Sequence, residues 1–84
     1  MKNVTIYTKD FCPFCDRAKV LLNQKGVDFE EINVETKGPN FYNELKAKTG
    51  LRTVPQIFIG DSLVGGYTEL RALEDADKLD EMLK

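Results

Sequence analysis

The order of apolar and polar positions along this 84-residue chain predicts strands that alternate with helices. Residues 3–8 alternate apolar and polar side chains and are rich in β-branched residues, which predicts a strand. Apolar positions then recur at helical spacing, which predicts a helix over residues 13–25 that ends at Gly26. Residues 27–34 are rich in β-branched and aromatic residues and predict an edge strand. By the handedness rule, these three elements form a right-handed βαβ unit.

The middle of the chain predicts a second helix followed by a hairpin. A helix over residues 40–49 begins after a Gly-Pro pair and ends at Gly50. Residues 56–59 and 62–64 are short strand segments, and the glycine and aspartate between them suit the positive φ positions of a tight turn. These two strands are therefore expected to be antiparallel neighbours.

A helical segment completes the chain. Gly65 and Gly66 end the preceding strand, and Thr68 is of a residue type that caps helices. An apolar stripe runs through the segment, with an interruption expected near residues 74–75. Its members are Leu70, Leu73, Leu79, Met82 and Leu83. The order of all the elements predicts one α/β domain over residues 1–84, a four-stranded mixed sheet with helices on both faces.

The strongest chemical signal is Cys12-Pro13-Phe14-Cys15, which opens the first predicted helix and holds both cysteines of a chain without histidine. Unpaired backbone N–H groups and the helix dipole favour the thiolate of a cysteine at a helix start. Cys12 is therefore the expected nucleophile. Cys15 lies about one turn further on, within the Cα separation of roughly 4.4–6.8 Å that a disulfide requires.

Structural roles for the cysteine pair are weaker alternatives. A disulfide that closes a loop of about four residues removes only about 2 kcal/mol of unfolded-chain entropy, so it would contribute little stability. Structural zinc requires four cysteine or histidine ligands, and this chain has two, so no metal site is expected. Only a dimer that shares two pairs, or an outside thiol, could complete a zinc or iron–sulfur site.

Net charge and composition argue against several classes of binding partner. Twelve basic and fourteen acidic residues give a net charge of −2 without a long block of one sign, which argues against nucleic acid and membrane surfaces. Neither a secretory signal pattern nor an apolar run of membrane-spanning length is apparent, so we expect a cytoplasmic monomer. In that reducing compartment, a single Cys-x-x-Cys pair indicates redox chemistry with thiol partners.

Taken together, Lys9, Cys12-Pro13-Phe14-Cys15, Thr53-Val54-Pro55 and Gly65-Gly66-Tyr67-Thr68 resemble the motifs of a glutaredoxin, over nearly the whole chain. The resemblance implies a thioredoxin fold with sheet order 2-1-3-4 and a cis peptide bond before Pro55. It also implies an oxidoreductase that reduces protein–glutathione mixed disulfides and protein disulfides. Glutathione would be its co-substrate, and no permanently bound cofactor is expected.

The same resemblance implies a set of glutathione contacts. The backbone of Val54 would pair with the cysteinyl part of glutathione, although its side chain could equally be a buried core residue. Thr68 and Glu69 would hold the γ-glutamyl group, and Lys9 the glycine carboxylate. Glu69 replaces the aspartate common in the family, and it could instead be a solvated first-turn acid. Lys9 could likewise be an ordinary turn lysine. The remaining implied contacts are Phe14, Arg52, Thr53, Pro55, Gly66 and Tyr67.

Several of these residues have open alternatives. Arg52 would either add to the positive electrostatic field beside the Thr53-Val54-Pro55 turn or form an ion pair that stabilises the fold. Phe14 stands where many glutaredoxins have tyrosine, so only its ring surface is available, and Tyr67 would pack or form a groove wall. Two other functions stay open as well. One is a redoxin reduced by thioredoxin reductase that serves ribonucleotide reductase, and the other is an iron–sulfur carrier, which Pro13 disfavours by resemblance.

Overall fold

The computed structural model describes residues 2–84, which form four strands, four α-helices and one short 3₁₀ helix. The strands are β1 (Val4–Thr8), β2 (Phe29–Asn33), β3 (Gln56–Ile59) and β4 (Ser62–Gly65). The α-helices are α1 (Pro13–Gln24), α2 (Phe41–Thr49), α3 (Tyr67–Asp75) and α4 (Leu79–Leu83), and the 3₁₀ helix is Val34–Lys37. Every predicted element is therefore present, within two residues at most of its ends.

The four strands form one mixed sheet in the order β2-β1-β3-β4. Strand β1 runs parallel to β2 and antiparallel to β3, and β3 runs antiparallel to β4. This arrangement confirms the predicted thioredoxin fold and its sheet order. Because β1 is central and α1 follows it directly, the residues between them lie at the carboxyl end of a buried strand.

Two hydrophobic clusters lie on the two faces of the sheet. The larger cluster joins β1 and β3 to α1, α3 and α4, and its buried members are Val4, Ile6, Ala18, Leu21, Leu22, Val27, Ile57, Ile59, Leu70, Leu79 and Leu83. The smaller cluster lies under α2 and the 3₁₀ helix, where the ring of Phe41 lies 6.2 Å from that of Tyr7. Its buried members are Cys12, Cys15, Val34, Leu45 and Val54. Both cysteines are therefore core residues of the smaller cluster.

Side-chain capping explains where β2 ends. Strand β2 stops at Asn33, one residue short of the predicted end, and the Asn33 side chain accepts a hydrogen bond of 2.9 Å from the backbone N–H of Glu35. This bond caps the 3₁₀ helix, so Val34 is helical, not extended. The competition between local side-chain bonds and the strand ladder is typical of asparagine.

The start of α3 and the hairpin turn differ from the predictions in detail. The prediction that Thr68 caps the helix is wrong: Gly66 is the capping residue, and Thr68 is the second residue of α3. The Glu69 carboxylate accepts the Gly66 N–H at 2.7 Å, so a side chain inside the helix performs the cap. In the hairpin, Gly60 has a φ of +59°, whereas Asp61 keeps a negative φ.

The C-terminal segment breaks where its apolar stripe is interrupted. Helix α3 ends at Asp75, Asp77 has a φ of +58°, and α4 starts at Leu79. Lys25, at the end of α1, forms ion pairs of 2.9 Å with both Glu74 and Asp80 and so ties three helices together. Within residues 2–84, every helix is too short or too polar to span a membrane.

Candidate active site

The cysteine motif connects β1 to α1. Cys12 is the residue that caps α1, and Pro13 takes the first helical position, where its missing N–H leaves no bond unmade. The backbone N–H of Cys15 donates a hydrogen bond of 3.2 Å to the Cys12 sulfur. Cys12 and Cys15 are joined as a disulfide, with their Cα atoms 5.2 Å apart. The sequence prediction that this pair can bond within one helical turn is confirmed.

The two cysteine residues differ in their exposure to solvent. The exposed fraction is 7% for Cys12 and 1% for Cys15. An incoming disulfide therefore reaches Cys12 more readily, because Cys15 lies beneath it in the smaller hydrophobic cluster. Accessibility and the hydrogen bond to its sulfur both favour Cys12 over Cys15 as the attacking residue, and that role stays a prediction.

The loop before β3 faces the cysteines. The peptide bond between Val54 and Pro55 is cis, which confirms the prediction. The Val54 carbonyl oxygen lies 3.8 Å from the Cys12 sulfur. In the disulfide this is a contact only, since the sulfur carries no proton to donate. Val54 is buried beside the cysteines, as the core alternative expected, whereas the pairing of its backbone with glutathione stays a prediction.

Two side chains that the sequence predictions did not single out hold this loop. The Gln56 amide nitrogen donates to the carbonyl oxygens of Leu51, at 3.3 Å, and Thr53, at 3.1 Å. The Tyr42 hydroxyl donates to the carbonyl oxygen of Arg52 at 3.2 Å. Burial raises the pKa of Tyr42, and the backbone N–H of Val54 acts in the opposite direction. Nothing in the sequence indicates this role of Gln56, because its hydrogen-bond partners lie close to it only after the loop has folded.

A shallow groove of about 180 Å³ runs between this loop and the start of α3. Eight of the ten residues implied as glutathione contacts line it, namely Phe14, Thr53, Val54, Pro55, Gly66, Tyr67, Thr68 and Glu69. The other two, Lys9 and Arg52, are exposed and do not line the groove. Residues from three separate parts of the sequence therefore meet beside Cys12. That they contact glutathione stays a prediction.

Aromatic side chains from α1 and α3 line the groove. The rings of Phe14 and Tyr67 lie 6.1 Å apart, and the Arg17 guanidinium lies 5.1 Å from the centre of the Phe14 ring. Phe14 is 52% exposed, so part of its surface is accessible to a ligand. The expectation that Phe14 offers ring surface, and Tyr67 packing, agrees with this geometry.

Gly65 and Gly66, which precede α3, lie close to neighbouring atoms. Gly65 has a φ of +120°, and a Cβ atom there would lie 2.9 Å from a carboxylate oxygen of Glu69. A Cβ atom on Gly66 would lie 3.4 Å from the carbonyl oxygen of Pro55. Gly65 is thus favoured by its positive φ and by the closeness of the Glu69 side chain, whereas a Cβ atom on Gly66 would only touch the carbonyl oxygen of Pro55 and the Glu69 carboxylate.

Hydrogen bonds also hold the turn that leads into the motif. The backbone N–H of Asp10 donates to Glu35 at 2.7 Å, and the Asn33 amide donates to the Asp10 carboxylate at 2.9 Å. Phe11 follows, fully exposed and with a φ of +53°. None of these contacts was expected from the sequence, since they join residues more than twenty positions apart.

A larger cavity of about 670 Å³ lies at the other end of the sheet, lined by Lys2, Asn3, Val4, Thr5, Gly26, Asp28, Phe29 and Glu30. Its lining belongs to the amino end of β1, whereas the cysteine motif follows the carboxyl end and lies beside the smaller groove, whose lining residue Val54 has its carbonyl oxygen 3.8 Å from the Cys12 sulfur. We therefore place the reactive site at the smaller groove, where a nucleophile and backbone groups converge.

Comparison with known proteins decides the family. A family model described as Glutaredoxin matches residues 4–64. The chain belongs to the glutaredoxin family. A glutaredoxin of Pseudomonas aeruginosa is 54% identical over 83 residues, which cover 99% of this chain and 98% of that protein.

Solved glutaredoxin structures share the fold. The solution structure of a glutaredoxin from Brucella melitensis has 49% sequence identity and a TM-score of 0.88, and the match covers 100% of this chain and 90% of that one. The crystal structure of a buckwheat glutaredoxin–glutathione complex has 30% identity and a TM-score of 0.87, with 95% of this chain and 74% of that one covered.

This glutaredoxin is a glutathione-dependent thiol–disulfide oxidoreductase, and Cys12 and Cys15 are its redox-active pair. Two electrons and two protons separate the dithiol from the disulfide. Because the two cysteines are three residues apart on one helical turn, the bond opens and closes without rearranging the sheet.

Proposed function

We propose that this glutaredoxin reduces mixed disulfides between proteins and glutathione, with Cys12 as the nucleophile and the groove beside it as the glutathione site. The observation that carries the proposal is the hydrogen bond of 3.2 Å from the Cys15 N–H to the Cys12 sulfur. An N–H donor stabilises the thiolate more than the thiol, and the thiolate is the attacking species.

The first half of the cycle transfers the glutathionyl group. The Cys12 thiolate attacks the glutathione sulfur of the mixed disulfide, a new sulfur–sulfur bond forms, and the protein thiolate leaves and takes a proton from water. Binding glutathione rather than the protein orients the attack on the correct sulfur. Support for that orientation comes from the groove, whose lining residue Val54 lies beside Cys12.

The second half regenerates the enzyme. A second glutathione thiolate attacks the sulfur of glutathione bound to Cys12, which releases glutathione disulfide and the Cys12 thiolate. The net reaction converts one glutathionylated protein and one glutathione into one protein thiol and one glutathione disulfide. Cys15 takes no part in this cycle.

Cys15 acts when the substrate is a disulfide within a protein. Cys12 first forms a mixed disulfide with the target, and the Cys15 thiolate then attacks the Cys12 sulfur and releases the reduced target. The product is the Cys12–Cys15 disulfide, the form present in the structure. Two glutathione molecules reduce it again and leave as glutathione disulfide.

The proposed glutathione contacts follow from the groove and its neighbours. The start of α3 offers the backbone N–H groups of Thr68 and Glu69, together with the Thr68 hydroxyl, to the γ-glutamyl carboxylate. Lys9 and Arg52, which are exposed beside the site's loops, would attract the glycine carboxylate through charge rather than through fixed contacts. The partners are thus glutathione and glutathionylated or disulfide-containing proteins, met by a monomer in the cytoplasm.

Replacement of the cysteines one at a time tests the proposal. With a glutathionylated peptide, glutathione and glutathione reductase, Cys15→Ser is expected to retain turnover and Cys12→Ser to lose it. With a peptide that contains an internal disulfide, both variants are expected to lose turnover. Activity of Cys12→Ser on the glutathionylated peptide, or loss of that activity in Cys15→Ser, would contradict the assigned roles.

A further inference from the structure

The buried amide of Gln56 pairs its nitrogen with the loop before β3 and leaves its oxygen unpaired within residues 2–84. Its side chain is fully buried, and its amide nitrogen donates to the carbonyl oxygens of Leu51 and Thr53. Its amide oxygen has no hydrogen-bond partner within residues 2–84. Both neighbours of the nitrogen are acceptors, so the amide orientation is fixed. An apolar side chain of similar size would avoid burying an unpaired oxygen.

Gln56 links a rigid element to a loop. It is the first residue of β3 and pairs with Tyr7 of the central strand β1, so its backbone is held by the sheet. Its side chain donates to the carbonyl groups of the two residues that flank Arg52, and the Arg52 carbonyl group accepts from Tyr42. The carbonyl groups of residues 51, 52 and 53 are therefore all held by side chains of this chain.

Val54 is the next residue, and its carbonyl oxygen lies 3.8 Å from the Cys12 sulfur. Side chains hold the three carbonyl groups before Val54, and Gln56, whose backbone belongs to the sheet, holds two of them. Gln56 therefore helps to fix the position of the Val54 backbone relative to that sulfur. A peptide strand that binds along this backbone would find it already in place, without an ordering cost at binding.

We propose that Gln56 is a positioning residue, which holds the loop carbonyl groups so that the Val54 backbone stands ready for the cysteinyl part of glutathione beside Cys12. The inference rests on the proposed function, since it concerns the same groove. It predicts an effect on the binding of glutathionylated substrates rather than on the chemistry of Cys12, because Gln56 contacts the loop and neither sulfur.

Two substitutions remove the positioning bonds. Gln56→Met keeps the volume and loses both donors, and Gln56→Glu places a carboxylate against two carbonyl oxygens. We expect the KM for a glutathionylated peptide to rise about three- to tenfold in Gln56→Met, the equivalent of one or two lost hydrogen bonds, and further in Gln56→Glu. The kcat for that peptide, and turnover of a peptide with an internal disulfide at saturating glutathione, are expected to stay within twofold of the parent. Gln24→Met, an exposed change of the same kind at the end of α1, is the matched control.

Amide hydrogen exchange provides a second measurement. Exchange at residues 51–54 is expected to accelerate in Gln56→Met, while exchange at Ile6 in β1 stays slow. If KM, kcat and both substrates change in parallel with the unfolding temperature, Gln56 is merely structural and the inference fails. If neither Gln56→Met nor the milder Gln56→Asn folds, the same conclusion holds.

Thr68→Val separates this inference from the proposed function. If Thr68→Val raises the KM for the glutathionylated peptide and Gln56→Met leaves it unchanged, the glutathione groove stands and the role of Gln56 is wrong. If neither variant changes that KM, the groove itself is not the glutathione site, and both proposals fall.

Discussion

The backbone N–H of Cys15 donates to the Cys12 sulfur at 3.2 Å, so the proposed resolving residue also provides a hydrogen bond that favours the thiolate of the proposed nucleophile. Hydrogen bonds to charged groups contribute about 1.5–3 kcal/mol, and the helix dipole adds at most about 2 kcal/mol at an N-terminus. Both contributions come from the backbone. They are therefore expected to survive replacement of the Cys15 side chain.

The cap of α3 gives a first stability prediction. Glu69→Ala removes the carboxylate that accepts the Gly66 N–H, so the free energy of unfolding is expected to fall by about 1 kcal/mol, the usual cost of a lost cap. Urea denaturation measures the change. Glu44→Ala, at an exposed acid in the first turn of α2, is the control and should cost less. A larger loss in Thr68→Val than in Glu69→Ala would contradict the assignment of the cap.

The close approach of α3 to Gly65 gives a second prediction. Gly65→Ala combines a φ of +120° with a Cβ atom 2.9 Å from the Glu69 carboxylate, so we expect it to cost about 1–3 kcal/mol. Gly38→Ala is the control, because Gly38 also has a positive φ, +93°, but nothing within 4 Å of the added atom.

A double-mutant cycle separates collision from strain at Gly65. In the Glu69→Ala background the added atom meets a shorter side chain, so Gly65→Ala should cost less there than in the parent chain. Urea unfolding of the four proteins measures the difference. Equal costs in the two backgrounds, or equal costs for Gly65→Ala and Gly38→Ala, would show that the carboxylate is not the obstacle.

Glu31 provides a pH-dependent prediction. Its carboxylate accepts a hydrogen bond of 2.8 Å from the buried Thr8 hydroxyl and pairs with Lys19 at 3.1 Å. The Thr8 bond, with a smaller contribution from Lys19, lowers the pKa of Glu31 below its ordinary value of 4.5, against the effect of partial burial. A lowered folded-state pKa means that the carboxylate stabilises the fold above pH 4.5 and that this contribution is lost as the pH falls through the folded-state value.

The comparison of Glu31→Gln with the parent chain measures this contribution. The parent is expected to be the more stable protein at pH 7, and the difference should shrink steadily below pH 4.5. Glu30→Gln changes a neighbouring exposed glutamate of β2 and is the control. A difference between the parent and Glu31→Gln that does not vary between pH 7 and pH 3 would contradict the prediction.

The elements and the reactive pair could be predicted because their signals are local. Alternation in residues 3–8, helical spacing after Pro13 and the stop at Gly26 depend on neighbours in the sequence, and each element formed where expected. The cysteine spacing is local as well. The sheet order and the cis bond before Pro55 came from family resemblance, since pairing and isomer state depend on contacts between distant residues.

The errors have one physical cause, which is competition from side chains whose partners the sequence does not reveal. Thr68 has the residue type of a cap, but the Glu69 carboxylate reaches the Gly66 N–H first. Val34 has the residue type of a strand, but the Asn33 side chain caps a 3₁₀ helix that begins at Val34. Gln56 was missed because a glutamine at the start of a strand has no distinctive pattern until the loop folds against it.

The most direct test of the account is the ionisation of Cys12 in reduced protein. In Cys15→Ser, which leaves one thiol, the pH dependence of alkylation reports the pKa of Cys12 alone. The backbone donor at residue 15 and the helix start predict a pKa well below the value of about 8.5 for an unstructured cysteine. Cys15, measured in Cys12→Ser, should react far more slowly because it is buried. A Cys12 pKa equal to that of an unstructured cysteine would contradict the central claim.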